Sequence, residues 1–193
     1  EIALNLAEKI NKIHAQGTGI NSAKEMVKSS RGLNSMALEQ PLPFLEDGIF
    51  QLHLVDQYNE ILETYEIEVE AGKDTLPNII TRLNQTVSKP ELLHASIEGD
   101  GSMLIQAGTN YKFIFGDDQS NITQVMGLNS FFDTLKGAQD IKLSDQIYEN
   151  SNNISTGKDL IPGDNRVALE ITKLQNKPTM KNESMTYDEY YNG

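Results

Sequence analysis

Apolar residues recur at helical spacing at the start of the chain. Ile2, Leu6, Ile10 and Ile13 stand four, four and three apart, which places them on one face of a helix. Glu8 and Lys12 lie four apart in the favourable acid-first order, and Gly17 supplies a left-handed stop. No capping residue precedes this pattern. At the far end Thr186-Tyr187-Asp188-Glu189 reads as a capping box, Thr186 being the N-cap and Glu189 the third helical position. An uncapped helix at one end and a cap with barely a turn to follow at the other predict an internal fragment of a longer, largely helical protein.

Between these ends the period changes from helical to alternating. Residues 22–43 hold no period and read as a linker with one short helix, punctuated by Gly32, Asn34, Pro41 and Pro43. Residues 49–55 then form a strand with Phe50, Leu52 and Leu54 on one face, and residues 65–70 alternate with Ile67 and Val69 inward. Asp56 to Glu60 is the turn between them. A helix follows, capped by Asp74 or Thr75, with Pro77 in its first turn and Leu76, Ile79, Ile80, Leu83 and Val87 as its apolar stripe. Three short strands come next, at 93–97, 103–106 and 111–115, the first two joined by a tight turn at Glu98-Gly99-Asp100-Gly101. A short helix around Ile122, Val125 and Met126 and a polar surface connection over 144–163 lead to a last helix. Asp164 caps it, Val167, Ala168, Ile171 and Leu174 are its buried stripe, and Pro178 closes it.

The order predicts an α+β fold: helical segments at both ends flanking an inserted β-rich module, an antiparallel sheet with one covering helix. The expected divisions are 1–43 (helix and linker), 44–135 (inserted module) and 136–193 (connection and return to helix).

Charge narrows the possible partners. Lys and Arg number 16 against 28 Asp and Glu, a formal charge of -12, which opposes phosphate backbones and anionic lipid and predicts neither a nucleic-acid nor a membrane partner. Mean hydropathy is -0.44 and no apolar run reaches the ~18 residues of a membrane span, so the sequence reads as soluble. There is no cysteine, which removes disulfides, thiolate catalysis and Cys-ligated metal.

The remaining chemistry is sparse. His14 ends the first helix, while His53 and His94 fall on strands, His53 facing solvent and His94 half buried; no spacing pairs them as ligands. Asp117 and Asp118 lack the spacing and twelfth-position glutamate of a calcium loop, and read as a turn that caps the Ile122 helix. Glu66, Glu68 and Glu70 form a hydrated carboxylate row with nothing to split their titration. Phosphate-cradling glycine motifs and the nucleophile elbow are missing. No catalytic, cofactor or metal residue is expected, and the protein is not expected to be an enzyme.

Several segments, in order, resemble the flagellar hook-associated protein 1 family, the junction proteins between bacterial hook and filament. Residues 6–17 look like that family's helix ending in Asn-x-x-His-x-x-Gly, here Asn11, His14 and Gly17. Gly127-Leu128-Asn129-Ser130-Phe131-Phe132 is similar to its Leu-Gly-Leu-Asn-x-Phe-Phe stretch, with Met126 for the first Leu. Gly163-Asp164-Asn165-Arg166-Val167-Ala168-Leu169, with Leu174-Gln175, resembles the return to its helical shaft, and residues 185–192 its next helix start. Residues 75–128 resemble the small insert shared with flagellins and filament-cap proteins.

The resemblance implies an extracellular structural protein of the hook–filament junction, exported by the flagellar type III apparatus and serving motility. Its implied partners are hook protein, a second hook-associated junction protein, an export chaperone and, in the full-length protein, other copies of itself. Leu6, Ile10, Ile13, Val167, Ile171 and Leu174 would pack into the shaft, and the terminal polymerisation regions would lie outside the fragment. Two alternatives stand beside it: a flagellin or filament-cap protein, and an extracellular module that binds glycans or a host surface.

Overall fold

In the computed structural model, which describes residues 1–133, 137–158 and 160–193, the chain is a mixed α+β protein with antiparallel sheets. It divides into two compact units. One comprises residues 1–20 and 130–193, the other residues 21–129.

In the 21–129 unit, the alternating stretches become a hairpin of β2 (Gly48–Val55) and β3 (Ile61–Val69), paired from Gly48 with Val69 to Leu54 with Glu63. Phe50, Leu52, Leu54, Tyr65, Ile67 and Val69 are buried, as the alternation requires, and Glu66, Glu68 and Glu70 face out. The Asp56 side chain builds the turn by accepting from the Tyr58 and Glu60 amides. Strand β6 (Lys112–Asp118) pairs on the other side of β2 and gives the order β3-β2-β6.

The expected single sheet is two. Residues 22–43 are not a linker: they contain β1 (Met26–Gly32) and the short helix α2 (Ser35–Leu38). Strand β1 joins β5 (Ser102–Ala107) and β4 (Leu93–Ile97) in a second three-stranded sheet, β1-β5-β4. Its sequence hides it because only Val27 and Ser29 point inward. The Ser29 hydroxyl accepts from the Met103 amide and donates to the Arg31 carbonyl where the register slips between Lys28 and Gly32. The expected break at residue 43 therefore falls inside this unit, and the one at 135 lies outside the described residues.

Helix α3 (Leu76–Val87) closes the core between the two sheets. Thr75 caps it by accepting from the Asn78 amide, Pro77 occupies its first turn, and Ser88 ends it in a left-handed conformation. All five stripe residues are buried in a core that lies wholly within residues 27–128. Two of its polar side chains cover strand edges. Asn84 binds both the amide and the carbonyl of Ala95 on β4 at 2.8 Å, and Arg82 donates to the Glu68 carbonyl on β3. On the opposite side Lys24 exchanges two backbone hydrogen bonds with Phe113, linking the start of β1 to β6.

Arg82 also grips the buried Asp74 carboxylate through two bonds of 2.7 and 3.0 Å. Burial pushes the Asp74 carboxyl up, but the Arg82 fork and the Glu70 amide outweigh it and hold it below the usual carboxylate range. A depressed folded pKa means stability that is complete above the unfolded value and is lost as pH falls through the folded one. Urea midpoints of this unit are expected to hold steady to about pH 5 and drop below about pH 4, with the drop blunted in Asp74→Asn. An unchanged acid slope in the variant would exclude Asp74 as its source.

In the other unit α1 (Ile2–Ala15) ends at Gln16, with φ of -89° and ψ of 3°, and Gly17 does not have a positive φ, so it is not the expected left-handed stop. The remaining elements are β7 (Phe132–Asp133), β8 (Lys142–Leu143), α5 (Asp145–Glu149), a 3-10 turn (Ser151–Asn153), α6 (Arg166–Lys173) and α7 (Tyr187–Asn192). Helix α5 falls within the expected surface connection and buries Ile147. The N-cap of α6 is Asn165 rather than Asp164. The α7 capping box forms with both arms, the Thr186 hydroxyl accepting from the Glu189 amide and the Glu189 carboxylate accepting from the Thr186 amide.

Candidate functional site

The four segments that carry the family resemblance meet, in part, on one side of α1. Ala7, Asn11, His14 and Ala15 are its buried residues. They lie roughly a third of the way round the helix from the apolar stripe. The physical reason is what packs there. Residues 130–132 and 154–157 bring backbone groups that need partners, and leucines could not supply them.

Asn11 answers that need. Its Oδ1 accepts from the Phe131 and Phe132 amides at 3.0 and 2.8 Å, and its Nδ2 donates to the Phe132 carbonyl at 2.8 Å. One turn on, the fully buried His14 accepts the Ser155 amide at Nε2, 2.9 Å away, and meets the Phe131 ring edge-on at 5.3 Å. Gly17 completes the row. A β-carbon there would lie 2.7 Å from Ser155 Cβ and 2.8 Å from a Val167 methyl, so glycine is required by close approach. The Ser155 hydroxyl donates to the Gly17 carbonyl, and Thr18 pairs with Gly157.

The neighbouring Asp164 carboxylate accepts the Lys158 and Arg166 amides and is held by the Arg166 guanidinium at 2.7 Å. It leaves no room for a β-carbon at Gly157. At the start of α1, Asn5 donates to the Thr179 carbonyl and accepts from the Tyr187 hydroxyl. The Tyr190 hydroxyl donates to Glu1, which pushes that phenol up. Tyr191 is exposed. Ser155, Gly157, Asn5 and Thr179 carried no recognisable signal in the sequence. Their partners on α1 are far away along the chain, and a serine or glycine in a polar stretch has no distinguishing period.

Of the six expected packing residues, Val167 and Leu174 are buried, whereas Leu6, Ile10, Ile13 and Ile171 are half-buried. Helices α1 and α6 pack together, yet the apolar stripe of α1 is not fully covered. Among the described residues, this unit buries as apolar side chains only Ala7, Ala15, Ile147, Val167, Leu174 and Met180.

The other candidates are placed apart from this row. His53 is half-buried and bonded to the Thr64 hydroxyl, and His94, expected half buried, is exposed beside the buried Leu93 and Ala95. Asp117 is exposed; Asp118 is buried and serves α4 (Ile122–Met126) by accepting from the amides of Ser120 and Thr123. Among the described residues there is no cluster of three or more His, Asp or Glu able to hold a metal ion, and no helix is long and apolar enough to cross a membrane. No protein-family model matches this chain, and no curated protein matches it in sequence.

Proposed function

We propose that the chain is a structural component of the bacterial flagellum and joins hook to filament as a hook-associated junction protein. What supports this is the convergence described above. Asn11, His14 and Gly17 meet Phe131, Phe132 and Val167, so segments that resemble one family separately also form one packed row. The half-covered stripe of Ile2, Leu6, Ile10 and Ile13 is the surface that a neighbouring shaft helix would bury, at about 25 cal/mol per Å2 of apolar area. Hook protein, a second junction protein and other copies of the full-length chain are the proposed partners, with an export chaperone before assembly. The function is contact geometry outside the cell, and no catalytic residue or cofactor is part of it.

Immunogold labelling of flagella with antibody to this chain tests the proposal. A narrow band where hook meets filament is expected. Label along the whole filament or only at its tip would assign the chain to flagellin or the filament cap, and no label would reject a flagellar role. In the full-length protein, Leu6→Asp with Ile10→Asp is expected to abolish swimming while export continues, because two carboxylates cannot be desolvated in a helix contact. Unimpaired swimming would remove the stripe from the junction.

A further inference from the structure

The connection from α2 to β2 displays an aromatic ring at a backbone position that the fold alone would give to glycine. Phe44 is 84 % exposed and has φ of +65°. A β-carbon is disfavoured in this left-handed region, and a bulky residue there is an outlier. Solitary exposed apolar side chains are ordinary and need no account. A phenylalanine kept in a left-handed conformation does, since the ring gains nothing from its own chain.

The surroundings hold it there. Leu42 and Leu45 are buried pegs on either side, and Pro41 and Pro43 stiffen the connection. The Leu42 amide donates to the Asp74 carbonyl and the Glu46 amide to the Ser120 carbonyl. Asn121 donates from Nδ2 to the Phe44 carbonyl at 3.3 Å. Asn121 adopts a left-handed conformation with φ of +67°, which asparagine tolerates, and its Oδ1 is buried without a hydrogen-bond partner. A left-handed phenylalanine and an orphaned acceptor thus meet at one place, the pattern of strain retained for use.

We propose that Phe44 is a preorganised anchor that inserts into an apolar pocket of a partner protein, and that the pocket is rimmed by Lys and Arg. The rim follows from charge. Glu39, Glu46 and Asp47 are exposed within five residues of Phe44 in the chain and Asp117 is exposed near the end of β6, while Lys73, which acts on Asp47, is itself paired with Glu70, so carboxylates are in excess there. A second copy of this chain, itself at -12, is a poor match for that field. Preorganisation matters because a connection whose backbone is held before binding loses little further backbone freedom on docking. This inference stands without the flagellar assignment.

The test replaces Phe44 with p-benzoylphenylalanine in the full-length protein and irradiates intact cells of the source organism. The expected product is a cross-link to one segment of a different protein, apolar and flanked by Lys or Arg. Against that purified protein, Phe44→Ala is expected to weaken binding about tenfold or more. Phe44→Gly should raise the melting temperature while leaving binding just as weak, a split that a purely structural residue would not show. The proposal is overturned by any of three results: cross-links confined to this chain or a second copy of it, cross-links to lipid or glycan, or a Phe44→Ala affinity within twofold of the parent.

Discussion

Asn11→Ala is expected to cost the 1–20/130–193 unit about 3 kcal/mol, enough to open it locally. The substitution removes a side chain that is only 6 % exposed and orphans three backbone groups at once, the amides of Phe131 and Phe132 and the carbonyl of Phe132. A buried donor or acceptor left without a partner costs about 1–3 kcal/mol, and partial hydration of the vacated space offsets some of the sum. Asn11→Asp separates the contributions. It keeps the acceptor for both amides but turns a second carboxylate oxygen onto the Phe132 carbonyl, so it should recover less than half of the loss at neutral pH and more in acid, where the protonated carboxyl regains a donor. Hydrogen exchange read by mass spectrometry gives the answer by segment. Protection should fall across residues 1–17 and 130–132 in Asn11→Ala while α3 and its flanking strands keep theirs. Unchanged exchange at Phe131 and Phe132 would show that the amide clamp does not hold this unit together.

The size of that expected loss relative to the unit has a simple cause. Among the described residues its buried apolar side chains are few, and two of them are alanines, so polar side chains satisfying irregular backbone replace much of what a hydrophobic core would supply. The 21–129 unit is built the other way, on Phe50, Leu52, Ile67, Leu83, Ile105 and Phe113, all fully buried.

The same contrast decides what could be read from sequence. Helix α3 was legible residue by residue because cap, first-turn proline and apolar period agree, with Thr75, Pro77 and the stripe from Leu76 to Val87 all pointing to one element. Strand β2 and the part of β3 from Tyr65 on were legible from alternation alone, whereas residues 61–64, exposed throughout, were not. Strand β1 was not, because Ser29 takes an inward position and its pairing is decided by β5, far along the chain. Asn11, His14 and Gly17 could be recognised as a pattern, but their work could not, since Asn11 binds residues 120 and 121 positions away and His14 one 141 positions away. The face of α1 that this unit itself buries was not legible for a related reason. Periodicity points to the most apolar face, and here the irregular backbone beside the helix selects the polar one.

Asp118→Ala is expected to destabilise the 21–129 unit by about 3 kcal/mol. Its carboxylate, buried at the end of β6, accepts four hydrogen bonds: from the Ser120 amide and hydroxyl at 2.9 and 2.7 Å, and from the Thr123 amide and hydroxyl at 2.9 and 2.6 Å. Asn121 sits where the cap of α4 belongs but makes no capping bond, so Asp118 performs that task from three residues upstream. In the alanine variant the two hydroxyls can turn to other acceptors, whereas the two amides cannot, and they set the cost. Asp118→Asn keeps one accepting oxygen but turns an amino group toward the other pair of donors, so it should recover less than half of the loss. Urea unfolding with an unchanged m value measures both. The consequence reaches further, because the Ser120 carbonyl receives the Glu46 amide and so braces the connection that presents Phe44. If Phe44 is an anchor, Asp118→Asn should weaken capture of its partner even under conditions where the unit remains folded. Loss of stability with undiminished capture would show that the ring does not need the brace, and a cost below 1 kcal/mol in Asp118→Ala would remove the carboxylate from the capping role altogether.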